Sequence, residues 1–419
     1  MNRRELLKNS ALAAALFGLP VPQGGVTAKP VPERSLLDRD PETYWTRIRE
    51  EQFLLPDWRV FLNNGSLGVA PKPVVAAVTD YLNRSAALDM KDDEYPRWGY
   101  ETLDEYRTEV AAYVGCNKDE LALTHNATEG LSTIAAGIDL KAGDEVVMTD
   151  QEHSSGRSGW YLKKARFGVE VREVKIPLPP KDPGQLADLV ISAIGPRTRV
   201  ILFSGITSPT GLILPIRAIC DAARAKGVIA VVDGAHMHGQ MPVKISDLGC
   251  DFFVGSPHKW MFAPAGCGFL YVREEWLNRL WPLTVTGGWD DQTLKAGRFM
   301  RLGTNNRAIL EGLMAGMHFS SDIGHDHVYA RIHQLARMAF ERARRLPYIE
   351  MLTPDDDRMY AGMVTFRVKK DGSRAWEIMR QKRMWSAMGE QIRHSTHIHT
   401  RPQDIDLFFG ILEDTLGKA

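Results

Sequence analysis

The chain has 419 residues, and its 52 Lys and Arg balance 52 Asp and Glu, so no global field draws it to nucleic acid or an anionic membrane. With 44% hydrophobic and 25% charged residues it has the composition of an ordinary globular protein, long enough for two domains in one subunit. Cys116, Cys220, Cys250 and Cys267 are scattered without CxxC spacing and read as buried thiols that pack as small hydrophobes.

The first segment, Asn2-Arg3-Arg4-Glu5-Leu6-Leu7-Lys8, is a twin-arginine pair followed by hydrophobic positions and a lysine. Ala11–Leu19 is short and weakly apolar, too short to span a bilayer, and Val26-Thr27-Ala28 suits signal-peptidase cleavage. Residues 1–28 therefore read as a Tat signal, which implies the Tat translocase as a partner and a periplasmic location. The plainer alternative is an amphipathic helix of the fold. Residues 29–60 form a proline- and charge-rich arm with a helical stretch at Thr43–Phe53. Strand and helix then alternate. Val60–Leu62 reads as a short strand, Pro73–Leu82 as a proline-started helix, and Thr102–Tyr113 as an amphipathic helix. Strands follow at Glu120–Leu123, Glu145–Thr149, Val169–Lys175, Val200–Ser204 and Val228–Asp233. Helices at Thr128–Ile138, Ser158–Phe167, Asp182–Ile194 and Pro215–Lys226 separate them. Apolar strands divided by helices argue for an α/β large domain, 61–302, with a mostly parallel sheet covered on both faces. Residues 303–419 read as a smaller α+β domain, with helices at Arg307–Ser320, Val328–Leu346, Ser373–Gln381 and Asp404–Leu416, and strands at Met363–Val368 and Glu390–His394.

Four places supply chemistry. Lys259 lies in Gly255-Ser256-Pro257-His258-Lys259-Trp260, between the apolar stretch Cys250–Val254 and the glycine-rich strand Gly266–Val272. A lysine held between buried segments loses solvation, which favours the neutral amine that forms a Schiff base with an aldehyde. Ser256 and His258 offer hydrogen bonds to a phosphate, which makes pyridoxal 5′-phosphate (PLP) the candidate aldehyde. Asp233 ends a strand, where open α/β sheets bind ligands. A carboxylate there pairs with the pyridine nitrogen and keeps the ring an electron sink. His236 is placed for the phenolic oxygen of the ring. Asn126-Ala127-Thr128-Glu129-Gly130 joins a strand to a helix, so its N–H groups and the Thr128 hydroxyl form a phosphate cup. Gln151-Glu152-His153 puts an imidazole where it stacks on the ring. Each alone has a plainer reading: turn aspartate, helix cap, surface histidine, solvated lysine. Their order and spacing carry the argument.

The runs Val232-Asp233-Gly234-Ala235-His236, Asp251 to Lys259 and Pro264 to Tyr271 resemble the class V aminotransferase signature. Leu62-Asn63-Asn64-Gly65-Ser66-Leu67-Gly68 looks like the opening of that family's epimerase-like members, and Gly303-Thr304-Asn305-Asn306 resembles its GTxN motif. The resemblance implies the PLP-dependent transferase fold type I: a large domain with a mostly parallel mixed sheet, and a smaller α+β C-terminal domain. It implies a cofactor held by Ala127, Thr128, His153, Asp233, His236, Ser256, His258 and Lys259. Of these, Lys259, Asp233 and His153 take part in catalysis. In the family the threonine of the GTxN motif reaches the phosphate in the neighbouring subunit, so Thr304 implies a homodimer. Arg393 looks like the arginine that clamps the substrate carboxylate through two parallel hydrogen bonds, and Asn64 falls on the same substrate side.

Desulfurases of this family carry a thiol on a loop before that arginine. No cysteine follows Cys267, which disfavours their chemistry. The pattern looks most like the isopenicillin N epimerase-like branch, which holds racemases, lyases and aminotransferases. The expectation is an exported PLP enzyme acting at the Cα of an amino acid, or of an amino-acid moiety in a peptide or secondary metabolite such as a siderophore. Its substrate has free amino and carboxylate groups. A C–S lyase, a catalytically silent binding protein and a cytoplasmic aminotransferase are the alternatives. Tyr95, Trp98, Tyr100 and Trp289 are candidate pocket aromatics. His394, His397 and His399 raise a metal reading, but nothing nearby completes a ligand set, so no metal is expected.

Overall fold

The computed structural model describes residues 26–89, 102–389 and 391–417. Tyr95, Trp98, Tyr100 and residues 1–25 of the expected signal lie outside them. Seven strands form one sheet: β1 (Leu121–Thr124), β2 (Glu145–Thr149), β3 (Glu170–Val174), β4 (Thr198–Ser204), β5 (Ile229–Asp233), β6 (Phe252–Gly255) and β7 (Gly268–Val272). Their order is β1-β7-β6-β5-β4-β2-β3, and only β7 runs antiparallel to its neighbours. Val146, Val147, Ile201, Leu202, Val231, Val232, Phe252 and Phe253 are fully buried, as helix-covered parallel strands require. Each such side chain contributes about 1.5–3 kcal/mol. β3 is the exception. As an edge strand it carries Glu170, Arg172 and Glu173, charges that discourage further pairing.

Parallel neighbours need crossovers, and the helices Ser154–Phe167, Pro183–Ser192 and Ile216–Ala225 supply them between β2, β3, β4 and β5. Two helices begin earlier than their hydrophobic pattern suggests, because polar side chains cap them. Asn126, not Thr128, is the N-cap of Ala127–Gly137 and accepts the Glu129 N–H, while His153 caps Ser154–Phe167 by accepting from Ser155. Gly234, just beyond β5, lies against Phe253. A Cβ there would come within 1.8 Å of the ring, so only glycine lets the chain turn directly over the sheet.

A second sheet of β8 (Ile349–Met351), β9 (Met363–Val368) and β10 (Ile392–Ser395) is antiparallel in the order β10-β9-β8. Its core holds Phe340, Phe366, Phe408 and Leu412, from flanking helices and the sheet itself. Together the two sheets make the α/β architecture that the resemblance implies, a large mostly parallel mixed sheet with a small antiparallel one. The residues 60–62 differ from the expected strand of the large sheet. Phe61 and Asn63 make single bridges to Trp385 and Ser395, and Val60 and Leu62 join the smaller core. In turn, the helix Ala308–Ile323 sends Leu313, Met317 and Phe319 into the larger core. Its Gly312 and Gly316 permit this, because a Cβ at either would press within 2.7 Å on Pro264 or the Met261 carbonyl. The arm helix Pro41–Gln52 also joins the larger core through Tyr44, Trp45 and Ile48, and its buried Arg49 donates to the His399 and Arg59 carbonyls. No helix among the described residues is long and apolar enough to cross a membrane.

Candidate functional site

Register brings the C-terminal ends of three strands together: Ser204 of β4 is opposite Asp233 of β5, and Asp233 is opposite Val254 of β6. Beyond β6 the chain makes a one-turn helix, Pro257–Trp260, with Pro257 at its first position, which turns Lys259 back over those ends. A cavity of about 350 Å³ opens there. Ala127, Thr128, His153, Asp233, His236, Ser256, His258, Lys259 and Arg393 all line it. Residues from five separate stretches of sequence thus meet at one point.

The Lys259 Nζ lies 2.9 Å from His236 Nε2. Burial pulls its pKa down to about 8, with Asp233 opposing and Arg393 reinforcing the shift. His236 is buried, and desolvation followed by the charges of Lys259 and Arg393 hold it well below the usual imidazole range. Asp233 has one oxygen tied by the Ala235 N–H at 3.0 Å. His153 sits at the mouth, its pKa lowered first by desolvation and then by Lys259. At the other side, the first turn of Ala127–Gly137 faces in. Its Ala127 N–H goes to Ser256 Oγ and its Glu129 N–H to Asn126, so among the described residues the Thr128 N–H has no partner.

Arg393 stands on β10. Its guanidinium donates to the Ser208 carbonyl, to Asn63 Oδ1 at 3.2 Å and to Ser66 Oγ at 3.0 Å. All three acceptors are neutral, Nε has no partner, and no carboxylate pairs with it among the described residues. Burial without a counter-charge lowers its pKa to about 10.

Three expected residues lie elsewhere. Asn64 does not line the cavity. Its carboxamide is occupied behind the lysine, donating to the Lys259 carbonyl at 2.7 Å and facing His399 Nε2 at 3.2 Å, so it holds the lysine turn rather than substrate. Thr304 is exposed on a loop outside the cavity. Trp289 lines a separate groove of about 1070 Å³ with Trp276 and Trp281, beside Asp144 and Ile229 at the opposite strand ends. None of the four cysteines lines the cavity. His397 donates to the Trp260 carbonyl and accepts from the Ile398 N–H, while His394 is enclosed by Phe366, Phe408 and Phe409, so these imidazoles pack as core groups.

Sequence reasoning missed Asn63 and Ser66, which orient Arg393, although both stand in the Leu62–Gly68 run. It passed over Glu152, which is buried beneath the cavity. There the carboxylate accepts from Thr149 Oγ1 at 2.5 Å, Ser204 N–H at 3.0 Å and Ser204 Oγ at 2.7 Å. It also missed Trp260, whose indole donates to His236 Nδ1 at 3.2 Å. No local pattern distinguishes either from a core residue.

The residues present fit PLP. An amine of lowered pKa, a strand-end carboxylate, and a helix N-terminus with an unclaimed N–H beside Ser256 match its aldehyde, its pyridine nitrogen and its phosphate. The family profile "Aminotransferase class-V" matches residues 60–380. The chain is 32% identical to isopenicillin N epimerase of Streptomyces clavuligerus over 89% of this chain and 99% of that one. It is 28% identical to a cysteine desulfurase of Haloferax volcanii, over 74% of each. Among solved structures it is similar to the cystine C–S lyase C-DES in complex with cysteine persulfide, with a TM-score of 0.76 and 24% identity over 84% of this chain and 97% of that one.

Proposed function

Because the chain belongs to the class V aminotransferase family, and is therefore a PLP enzyme, we propose that it acts at the Cα of an amino acid or amino-acid moiety, as an epimerase or aminotransferase. The observation that carries this reading is Arg393: a buried guanidinium without an anionic partner, in one cavity with Lys259 and Asp233. Such a group is stabilised by a ligand carboxylate, whose negative charge would offset the burial of the guanidinium. Bound PLP supplies an electron sink for the bonds at the α-carbon of an amino acid attached to its aldehyde carbon.

The protein's own residues do the rest. Lys259 would hold the aldehyde, and its lowered pKa suits it to take a proton from the α-carbon of a substrate in the cavity. Asp233 would keep a proton on the pyridine nitrogen, and His236 would hold the phenolic oxygen. Thr128 and Ser256 would hold the phosphate, with Ala127 and His258 beside them. His153, at the mouth, would cover the ring and exclude water. Without a thiol at the cavity, attack on a substrate sulfur has no nucleophile, which agrees with the epimerase of S. clavuligerus as a guide rather than the desulfurases.

The twin-arginine run supports export to the periplasm by the Tat translocase, as a folded and loaded protein. There a peptide or secondary metabolite with a free amino and carboxylate group is a substrate more in keeping than a free metabolic amino acid. Thr304, exposed on its loop, supports a homodimer whose second subunit completes the site. Incubating the purified enzyme with amino acids and amino-terminal peptides in deuterated water tests the reading. Deuterium at Cα with inversion marks an epimerase, and conversion of the cofactor to its amine form marks an aminotransferase. Absence of both, with no borohydride-fixed cofactor on Lys259, would overturn it.

A further inference from the structure

An indole N–H can only donate a hydrogen bond. Trp260 Nε1 lies 3.2 Å from His236 Nδ1, so that ring nitrogen is the acceptor and carries no proton. A neutral imidazole with a bare Nδ1 carries its hydrogen on Nε2, which lies 2.9 Å from Lys259 Nζ. The His236 Nε2–H therefore donates, and the lysine nitrogen must accept. An ammonium has no lone pair to do so. The opposite tautomer would set two N–H groups against each other across the Trp260 contact. We propose that Trp260 is a positioning residue that fixes the protons of the His236–Lys259 pair, keeping Nε2 of His236 a donor and the Lys259 nitrogen an unprotonated acceptor.

The device is held from the second sheet. Trp260 is fully buried and stacks on His397 with ring centroids 5.8 Å apart, and its carbonyl receives the His397 Nε2–H at 3.2 Å. A Cβ on Gly362, just before β9, would lie 2.8 Å from the indole, so that backbone walls the ring in. The His236 carbonyl receives the Gln240 amide, whose oxygen accepts the Gly362 N–H at 2.8 Å. The indole is thus held on two sides, and the His236 backbone is held beside it. The charged and titratable groups facing His236 are Lys259, Arg393, His153 and His258, and those facing Lys259 are Asp233 and Arg393. For Lys259 the two oppose each other, Asp233 favouring the ammonium. Burial outweighs Asp233 and brings the lysine's pKa down to about 8, towards the neutral amine that the hydrogen bonds demand. The consequence for catalysis rests on Lys259 being the cofactor lysine. The tautomer itself does not.

The test uses the full chain, freed of cofactor and labelled with 15N in its histidine rings. His236 is assigned by the signals missing in His236→Gln. At pH 8 its spectrum is expected to show a bare Nδ1 and a protonated Nε2. An Nδ1–H tautomer or a doubly protonated ring would overturn the proposal. In Trp260→Phe the constraint is gone, and His236 is free to accept from a Lys259 ammonium. The midpoint of the pH dependence of PLP capture, followed by absorbance, is then expected to rise by a unit or more, or about tenfold slower capture at pH 7. A folded Trp260→Phe protein with an unchanged midpoint would also overturn it. If that variant does not fold, the wild-type tautomer decides. If wild-type protein captures PLP without a borohydride-stable link to Lys259, the functional reading fails while the ring spectrum still stands.

Discussion

Arg393 binds through neutral partners only, so its burial is compensated when a carboxylate arrives and not before. Arg393→Gln removes the charge, and a hydrogen bond to a charged group is worth about 1.5–3 kcal/mol. The expected result is a rise in KM of about 100-fold with kcat less affected, measured by steady-state kinetics on whichever substrate shows Cα exchange. A loss confined to kcat would assign Arg393 another role. Glu152 makes a different prediction at the same scale. Burial raises its pKa from an ordinary 4.5 to about 7, against the hydrogen bonds from Thr149 and Ser204, with Asp233 adding to the rise. Below about pH 4.5 the carboxyl is protonated whether the chain is folded or not, and it costs nothing. Between there and 7 the unfolded chain ionises first, so stability falls as pH rises, and above 7 the whole cost is present. That cost is on the order of 3 kcal/mol. Glu152→Gln cannot ionise. Its melting temperature relative to wild type should therefore climb from pH 5 to pH 8, and a constant difference would show that Glu152 does not titrate in that window.

The element that matters most is the turn Pro257–Trp260, because it carries the lysine and the loop at Asn64–Gly68 presses directly on its backbone. Gly68 donates its N–H to the His258 carbonyl at 2.8 Å, and a Cβ at Gly68 would come within 2.2 Å of the Lys259 carbonyl. Both atoms are backbone, so neither yields without moving the turn. Gly68→Ala is expected to cost about 1–3 kcal/mol by overpacking and to weaken retention of the cofactor. Gly410, in the helix Pro402–Leu416, has nothing within 4 Å of a built Cβ, and Gly410→Ala should stabilise by about 0.5–1 kcal/mol. Calorimetry of the pair separates packing from any general effect of replacing glycine. The same turn shows where sequence reading succeeds and where it stops. Lys259, Asp233 and Asn126–Gly130 follow apolar strands, and strand ends in such sheets converge, so their meeting was legible from periodicity. The burial of β4 to β6 was legible for the same reason. Asn64 was not, because the choice among Asn63, Asn64 and Ser66 depends on how a segment without a full strand twists between Trp385 and Ser395. Trp289 was read as a pocket residue because an exposed aromatic carries no sign of which end of the sheet it faces. Trp260 had the pattern of any core residue, and only its distance to His236 gives it a role.

At the scale of the whole molecule the GTxN loop, Gly303–Asn306, bears on whether two chains share their sites. The Gly303–Asn306 loop is exposed, yet Asn305 Oδ1 lies 3.2 Å from His125 Nε2, next to the helix turn that faces the cavity. An exposed threonine outside its own chain's cavity, on a loop that touches His125, is placed to be tested as a contribution to a second subunit. If sites are shared, a dimer of Lys259→Ala and Thr304→Ala chains holds one site with neither residue and one with both. Thr304→Ala alone should release PLP at least about tenfold faster than wild type, since a lost hydrogen bond to a charged phosphate is worth roughly 1.5–3 kcal/mol. In the mixed dimer the single intact site should release it at the wild-type rate, with half the wild-type cofactor content. Each chain, labelled with a different affinity tag and purified through both, gives that species cleanly. If PLP leaves the mixed dimer at the rate of Thr304→Ala, the threonine acts within its own chain or not on the phosphate. If the two chains never copurify at concentrations where the wild type binds its cofactor, the site is complete in one subunit and the GTxN loop has no reach across an interface.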